Sequence, residues 1–185
     1  MASDLITLPK SGTYTFDPAH TSVNFVARHL VGTKVRGHFA GVRGTIVIAE
    51  PIESSTVVAE VDAETIDTGV AMRDDHLRTN DFLDVPNHPT LTLKSTGLTK
   101  ITETEWKLAA DLTIRGVTKP VVFDLEYLGA GPGLAPDTYV FGFAATGEID
   151  RREFGVSFSG VLDSGAIVVG NKVKIELDGE ALFQS

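Results

Sequence analysis

Five histidines, His20, His29, His38, His76 and His88, are the residues of this chain best suited to hold a metal or move a proton. His20, His29 and His38 recur every nine residues, a spacing that invites a metal reading. In an extended strand, however, an odd separation places neighbours on opposite faces. Gly32 and Gly37 also interrupt any fixed geometry between them. No His-Glu-x-x-His or His-x-His pattern accompanies them, so capping, turn and rim positions are expected instead. A hydrolase needs a nucleophile beside a base. The chain has no Gly-x-Ser-x-Gly elbow, and Ser157, Ser159 and Ser164 have no histidine near them in sequence. Asp74-Asp75 is an adjacent acidic pair, but consecutive helix positions do not face each other, so it makes a poor acid–base dyad. Gly41-Val42-Arg43-Gly44 is too short for a phosphate-cradling loop. No catalytic residue and no metal ligand is assigned, and an enzyme is not expected.

The arginines are more suggestive. Arg73 and Arg78 fall in a stretch with helical spacing, Arg36 and Arg43 in the glycine-rich 32–44 region, and Arg151-Arg152 beside Glu153. They read as solvated faces and ion pairs, or as a phosphate clamp at a cavity mouth, since guanidinium grips phosphate bidentately. Phe25, Trp106, Phe123, Tyr127, Tyr139, Phe141 and Phe143 share one apolar face, which reads as a packed core or as the lining of a hydrophobic tunnel.

The elements that must position these residues are strands. Val23, Phe25 and Ala27 alternate with Asn24 and Arg28. The same period of two runs through Val57-Ala59-Val61, Leu91-Leu93, Trp106 to Ile114, Val121 to Tyr127, Tyr139 to Ala145 and Val173 to Leu177. Each is a half-buried strand with one apolar face. Gly32-Thr33, Gly41, Gly44, Glu50-Pro51, Gly129 to Pro136 and Gly165 to Asn171 are the turn signals. Asp67 to Asp84 breaks the period. Val70, Arg73 and Leu77 lie at helical spacing, with Asp67 or Thr68 to cap the start, which predicts one short helix near 69–79. The long strands favour an up-and-down barrel over a sandwich. Eight strands leave an interior either just filled by side chains or wide enough for one ligand.

Composition agrees. A chain of 185 residues is one domain by length. It has no cysteine, which removes disulfides, thiolate nucleophiles and Cys-ligated metals. The net charge of −9 repels phosphate backbones, so no nucleic-acid partner is expected. There is no 18-residue apolar run to span a membrane, and the opening residues lack the basic and apolar regions of a secretory leader. A cytoplasmic location is therefore expected, although an exported protein trimmed of its leader reads the same. Residues 1–12 are expected to be loosely ordered.

Six segments together resemble the YceI-like family. They are Tyr14-Thr15-Phe16-Asp17-Pro18-Ala19-His20-Thr21-Ser22-Val23-Asn24-Phe25, Val35-Arg36-Gly37-His38-Phe39, Met72-Arg73-Asp74-Asp75-His76-Leu77 with Phe82 after it, Gly116-Val117-Thr118-Lys119-Pro120-Val121, Arg151-Arg152-Glu153-Phe154-Gly155 and Val169-Gly170-Asn171-Lys172-Val173. They cover about residues 13–184. Two departures stand out: Tyr14 is where the family usually has Trp, and Leu83 is inserted after Phe82, which bears on the cavity mouth. The resemblance implies a single-domain, all-β, antiparallel lipocalin-like barrel enclosing an elongated apolar cavity. It also implies polyisoprenoid ligands, such as quinones or prenyl phosphates, and often a homodimer.

The expected function is to sequester a long-chain isoprenoid or similar lipid, with no covalent cofactor. The expected ligand-binding residues are Phe25, His29, Phe39, Arg73, His76, Leu77, Phe82, Leu91, Leu93, Trp106, Leu112, Phe123, Tyr127, Phe141, Phe143 and Phe158, with Arg73 or His76 holding a polar head group. The rivals are a scaffold or stress-related protein whose barrel is filled by its own aromatics, and a metal-dependent enzyme built on His20, His29 and His76.

Overall fold

The computed structural model describes residues 6–30, 32–160 and 168–185. Ten strands are present among them: β1 Gly12–Phe16, β2 Ser22–His29, β3 Thr33–Phe39, β4 Arg43–Ile48, β5 Thr56–Asp62, β6 Thr90–Lys100, β7 Glu105–Ile114, β8 Val117–Pro132, β9 Tyr139–Asp150 and β10 Val169–Phe183. One α-helix, α1 (Ala71–Arg78), lies between β5 and β6. The helix falls within the span the sequence predicts. Its start is built differently from the expected cap. Val70 occupies the N-cap position without a side-chain bond, and the buried Asp74 instead accepts the Thr68 N–H at 2.9 Å and the Thr68 hydroxyl.

All named strand pairs are antiparallel, and β4 through β10 pair in sequence order. β1 pairs with both β4 and β10, which closes an eight-strand ring. The closure departs from a simple meander. β10 is 15 residues long and serves two partners: Ala181–Phe183 pair with β1, and Val169–Asp178 pair with β2. β1 and β2 therefore lie end to end along β10, broken at Pro18, which has no N–H to give to a ladder. The break is held by Asp17, whose N–H donates to the Glu180 carbonyl at 2.9 Å and whose carboxylate meets His20 Nδ1 at 2.8 Å. β3 then leaves the ring as the terminal strand of the sheet, tied down at His38 by an isolated bridge to Asp67.

The tight β7–β8 connection uses Arg115 and Gly116, at φ of 50° and 71°. Two consecutive positive φ values match the twist of the flanking strands. The alternation read from sequence is the alternation found. Phe123, Tyr127, Phe141 and Ala145 are buried, while Asp124, Glu126, Thr146 and Glu148 are outside or partly so. Two apolar clusters result. One gathers Ala110, Phe123, Ala145, Phe154 and Val156 with Phe82. The other gathers Tyr14, Trp106, Tyr127, Phe141 and Ala181. Residues 6–11, in the segment expected to be loosely ordered, run over the second cluster. The Thr7 carbonyl accepts the Tyr127 hydroxyl at 2.6 Å, the Lys10 carbonyl accepts the Tyr14 hydroxyl at 2.7 Å, and Pro9 is buried.

Candidate functional site

Between the two clusters the inward faces of the strands do not meet. They enclose a cavity of about 350 Å³, within the ~300–1,000 Å³ of ordinary ligand sites. The barrel is thus not filled by its own aromatics. Most of the residues expected to bind ligand line it: Phe25 and Phe39 from β2 and β3, Leu77 from α1, and Phe82 from the turn after it. Leu91 and Leu93 contribute from β6, Trp106 and Leu112 from β7, Phe123 and Tyr127 from β8, and Phe141 and Phe143 from β9.

Four expected residues lie elsewhere. His29 is half-buried at the end of β2, paired with Thr33 and Val169. Arg73 is turned back on its own loop, donating from Nε to the Thr68 hydroxyl at 2.7 Å and from Nη2 to the Thr68 carbonyl at 2.8 Å. His76 is exposed, 2.8 Å from Asp81, with its ring edge-on to Phe82 and Phe158. Phe158 is 37% exposed and closes that triangle from outside. Helical spacing alone does not say which way α1 faces, and only Leu77 of the helix reaches the cavity.

The lining also includes residues not singled out from the sequence. Ile46 and Ile48 of β4, Ile52, Leu98, and Leu8-Pro9 of the N-terminal segment all contribute. Ile46 and Ile48 do carry the period of two. Leu8 and Pro9 precede the first strand and carry no local signal.

Tyr14, Tyr127, Glu60 and Arg151, beside the cavity, are each engaged by other groups of the chain. Burial pushes the Tyr14 and Tyr127 hydroxyls up to about 12, with the neighbouring Tyr139 adding to both. Each hydroxyl spends its proton on a backbone carbonyl. Glu60 is engaged by Arg43. Arg151 is 5% exposed, and its guanidinium faces carbonyls rather than a carboxylate. Nε donates to Gly170 at 2.9 Å, Nη1 to Val156 at 2.8 Å and Phe158 at 2.7 Å, and Nη2 to Val169 at 3.2 Å. Burial lowers its pKa below the ordinary guanidinium value, against the pull of Asp150. What the cavity offers is desolvation, with no free donor aimed into it from these groups.

The histidines do not assemble as ligands. Among the described residues, the grouping with metal-ligand spacing is Asp17, His20 and Glu180, whose ligand atoms lie within 4.8 Å of one another at the β1–β2 break. His29 and His76 are not part of it.

Comparison with known proteins places the molecule. The YceI-like domain model matches residues 14–181. A UPF0312 protein of Staphylococcus aureus (strain N315) is 32% identical over 171 residues, spanning 90% of this chain and 95% of the relative. BcnA of Burkholderia cenocepacia superposes with a TM-score of 0.72 at 18% identity, over 91% of this chain and 99% of that one. A polyisoprenoid-binding domain from Saccharophagus degradans, implicated in plant cell wall breakdown, gives 0.67 at 14% identity, over 95% and 100%. These structures share the fold. With the domain model covering nearly every strand of the barrel, the chain belongs to the YceI-like family.

Proposed function

We propose that this protein binds the apolar chain of an isoprenoid or similar long-chain lipid inside the barrel and does no chemistry on it. The observation that carries the reading is the cavity of about 350 Å³ walled by inward side chains of the strands and by Leu77 and Phe82. The polyisoprenoid-binding domain that shares the fold supports the ligand class. The driving force is desolvation. Ten chain carbons at ~0.8 kcal/mol each give ~8 kcal/mol gross, micromolar-class before ordering costs. A non-catalytic role is supported by the way the Tyr14, Tyr127 and Arg151 side chains are spent on backbone carbonyls and Glu60 on Arg43.

Native mass spectrometry of freshly purified protein, followed by solvent extraction, should reveal a long-chain lipid. Added isoprenoid quinone should raise the melting temperature, since a ligand that binds only the folded state stabilises it by mass action. No co-purifying lipid and no shift with any long-chain isoprenoid would overturn the reading.

A further inference from the structure

From Pro18 to Ala49 the sequence has no Asp or Glu, in a chain with 25 acidic residues and a net charge of −9. The same stretch carries Arg28, Lys34, Arg36 and Arg43. Arg43 is engaged by Glu60 and Asp62. The other three are exposed on the outer face of the β2–β3 hairpin, and no carboxylate of the hairpin is available to them. Arg28 stands directly opposite Lys34 in the ladder. Arg36 stands opposite Val26, which in turn faces Lys174 of β10. Like charges directly opposite destabilise a sheet, with strands only ~4.8 Å apart. Asp67 is bridged through its backbone to His38 at the far end of β3 from Leu30, and its carboxylate accepts the Gly69 N–H at 2.7 Å; on β9 and β10, Glu176 lies 3.3 Å from Lys174, and Asp150, opposite Lys172, is held by Arg152 at 2.7 Å. Positive charge therefore grows from β9 toward the Leu30 end of the terminal strand β3.

Charge on a terminal strand guards against edge-to-edge pairing. That accounts for Lys34 and Arg36, but not for Arg28 on a strand paired on both sides. Nor does it require one sign. At the apex beside these cations, Leu30 is 42% exposed with φ of 51°, its N–H fixed to the Val168 carbonyl at 3.0 Å. Cations flanking a projecting apolar side chain match a lipid interface, with phosphates above and acyl chains below. A nucleic acid would call for aromatic side chains to stack on bases; among the outward residues Asn24, Val26, Arg28, Lys34, Arg36 and His38, just His38 carries a ring, at the end of the hairpin away from Leu30.

We propose that the outer face of the β2–β3 hairpin, with Leu30 at its apex, docks the barrel on an anionic lipid bilayer. This goes beyond the cavity reading and does not depend on it.

The test is co-flotation of the full chain with vesicles of phosphatidylglycerol and phosphatidylcholine, against phosphatidylcholine alone, at ~0.1 M and ~0.5 M salt. The vesicles contain no isoprenoid, so a failure of the cavity to take up ligand leaves this result untouched. The protein should float with the anionic vesicles at the lower salt only. Lys34→Gln with Arg36→Gln should weaken partition about fivefold for each cation removed. Leu30→Asn, a residue that tolerates positive φ, should weaken it at the lower salt without changing the net charge. Lys94→Gln with Lys100→Gln, the same loss of charge elsewhere, should bind like the parent. Should the first pair melt early, Arg28→Gln with Lys174→Gln replaces it. Equal partition onto neutral vesicles, no partition at all, or no effect of the hairpin substitutions would overturn the proposal. So would retention by duplex DNA without vesicle binding, which would assign the face to nucleic acid.

Discussion

The ring of Phe123 on β8 lies against bare backbone at Gly147 on β9. A Cβ at 147 would stand 2.8 Å from Cδ1 of that ring, which is fully buried. Gly147 is thus the space into which a cavity-lining aromatic is seated, and the pair sets the wall position at mid-barrel.

Gly147→Ala should push the Phe123 ring toward the cavity. Overpacking of this kind costs roughly 1–3 kcal/mol, a loss of several degrees in melting temperature at this chain length. Ligand affinity should fall with it. Adding Phe123→Leu should recover part of both, because residues in contact couple. A single variant that melts and binds like the parent would show that the ring is free to move.

The inside–outside assignment of β9 has its own test. Phe143 lines the cavity, whereas Glu148, five residues on, is exposed. Phe143→Leu should keep the fold and weaken lipid binding modestly by changing cavity shape. Phe143→Asp should abolish binding, or unfold the protein through a buried unpaired carboxylate. Glu148→Gln should leave binding nearly intact and shift stability by under about 0.5 kcal/mol. The comparison is made by thermal melts with and without isoprenoid quinone. If both Phe143 variants fold and bind like the parent, the wall is misassigned.

Alternation made most of this barrel legible before any coordinates, because burial on one face of a strand is a local pattern. Val173, Ile175 and Leu177, or Trp106, Leu108 and Leu112, announce the cavity side on their own. What stayed hidden is decided at long range. That β10 pairs with β1 through Ala181 and with β2 through Leu177 depends on residues more than a hundred positions away, so no window of sequence shows it. The same holds for Leu8 and Pro9, which line the cavity because the Thr7 carbonyl finds the Tyr127 hydroxyl. Arg73 and His76 misled for a different reason. Their residue types suit a head group, but type says nothing of direction, and Thr68 and Asp81 hold them away.

Arg151 illustrates the limit of reading charge from sequence. As a solvated arginine it would be replaceable, yet its guanidinium joins the start of β10 to the 156–158 segment through carbonyls alone. Arg151→Met should leave those carbonyls without their donor and cost about 2–4 kcal/mol. Arg151→Lys, with fewer donors and no planar fork, should fall between Met and the parent. Urea melts rank the three. An Arg151→Met protein with the parent's midpoint would mean that water replaces the guanidinium without loss.

Tyr14 and Tyr127 give the barrel an alkaline limit. Tyr14 and Tyr127 are pushed up to about 12, first by burial and then by Tyr139 beside them. In the unfolded chain a tyrosine ionises near ~10. The sign follows from proton counting. Between about pH 10 and 12 the unfolded state has lost protons that the folded state keeps, so rising pH favours unfolding. The stability these hydroxyls contribute is complete below about pH 10 and is lost as pH climbs toward 12. Ultraviolet difference titration of the native protein should show the Tyr14 and Tyr127 phenols ionising late, together with, or only after, loss of the fold. Tyr14→Phe with Tyr127→Phe should flatten the decline of melting temperature above pH 10. At neutral pH the same double variant should be weaker by about 1 kcal/mol per lost hydrogen bond, because the Lys10 and Thr7 carbonyls lose their donors. Should the Tyr14 and Tyr127 phenols titrate near the ordinary value with the fold intact, the N-terminal segment does not seal this end of the barrel, and water reaches both hydroxyls.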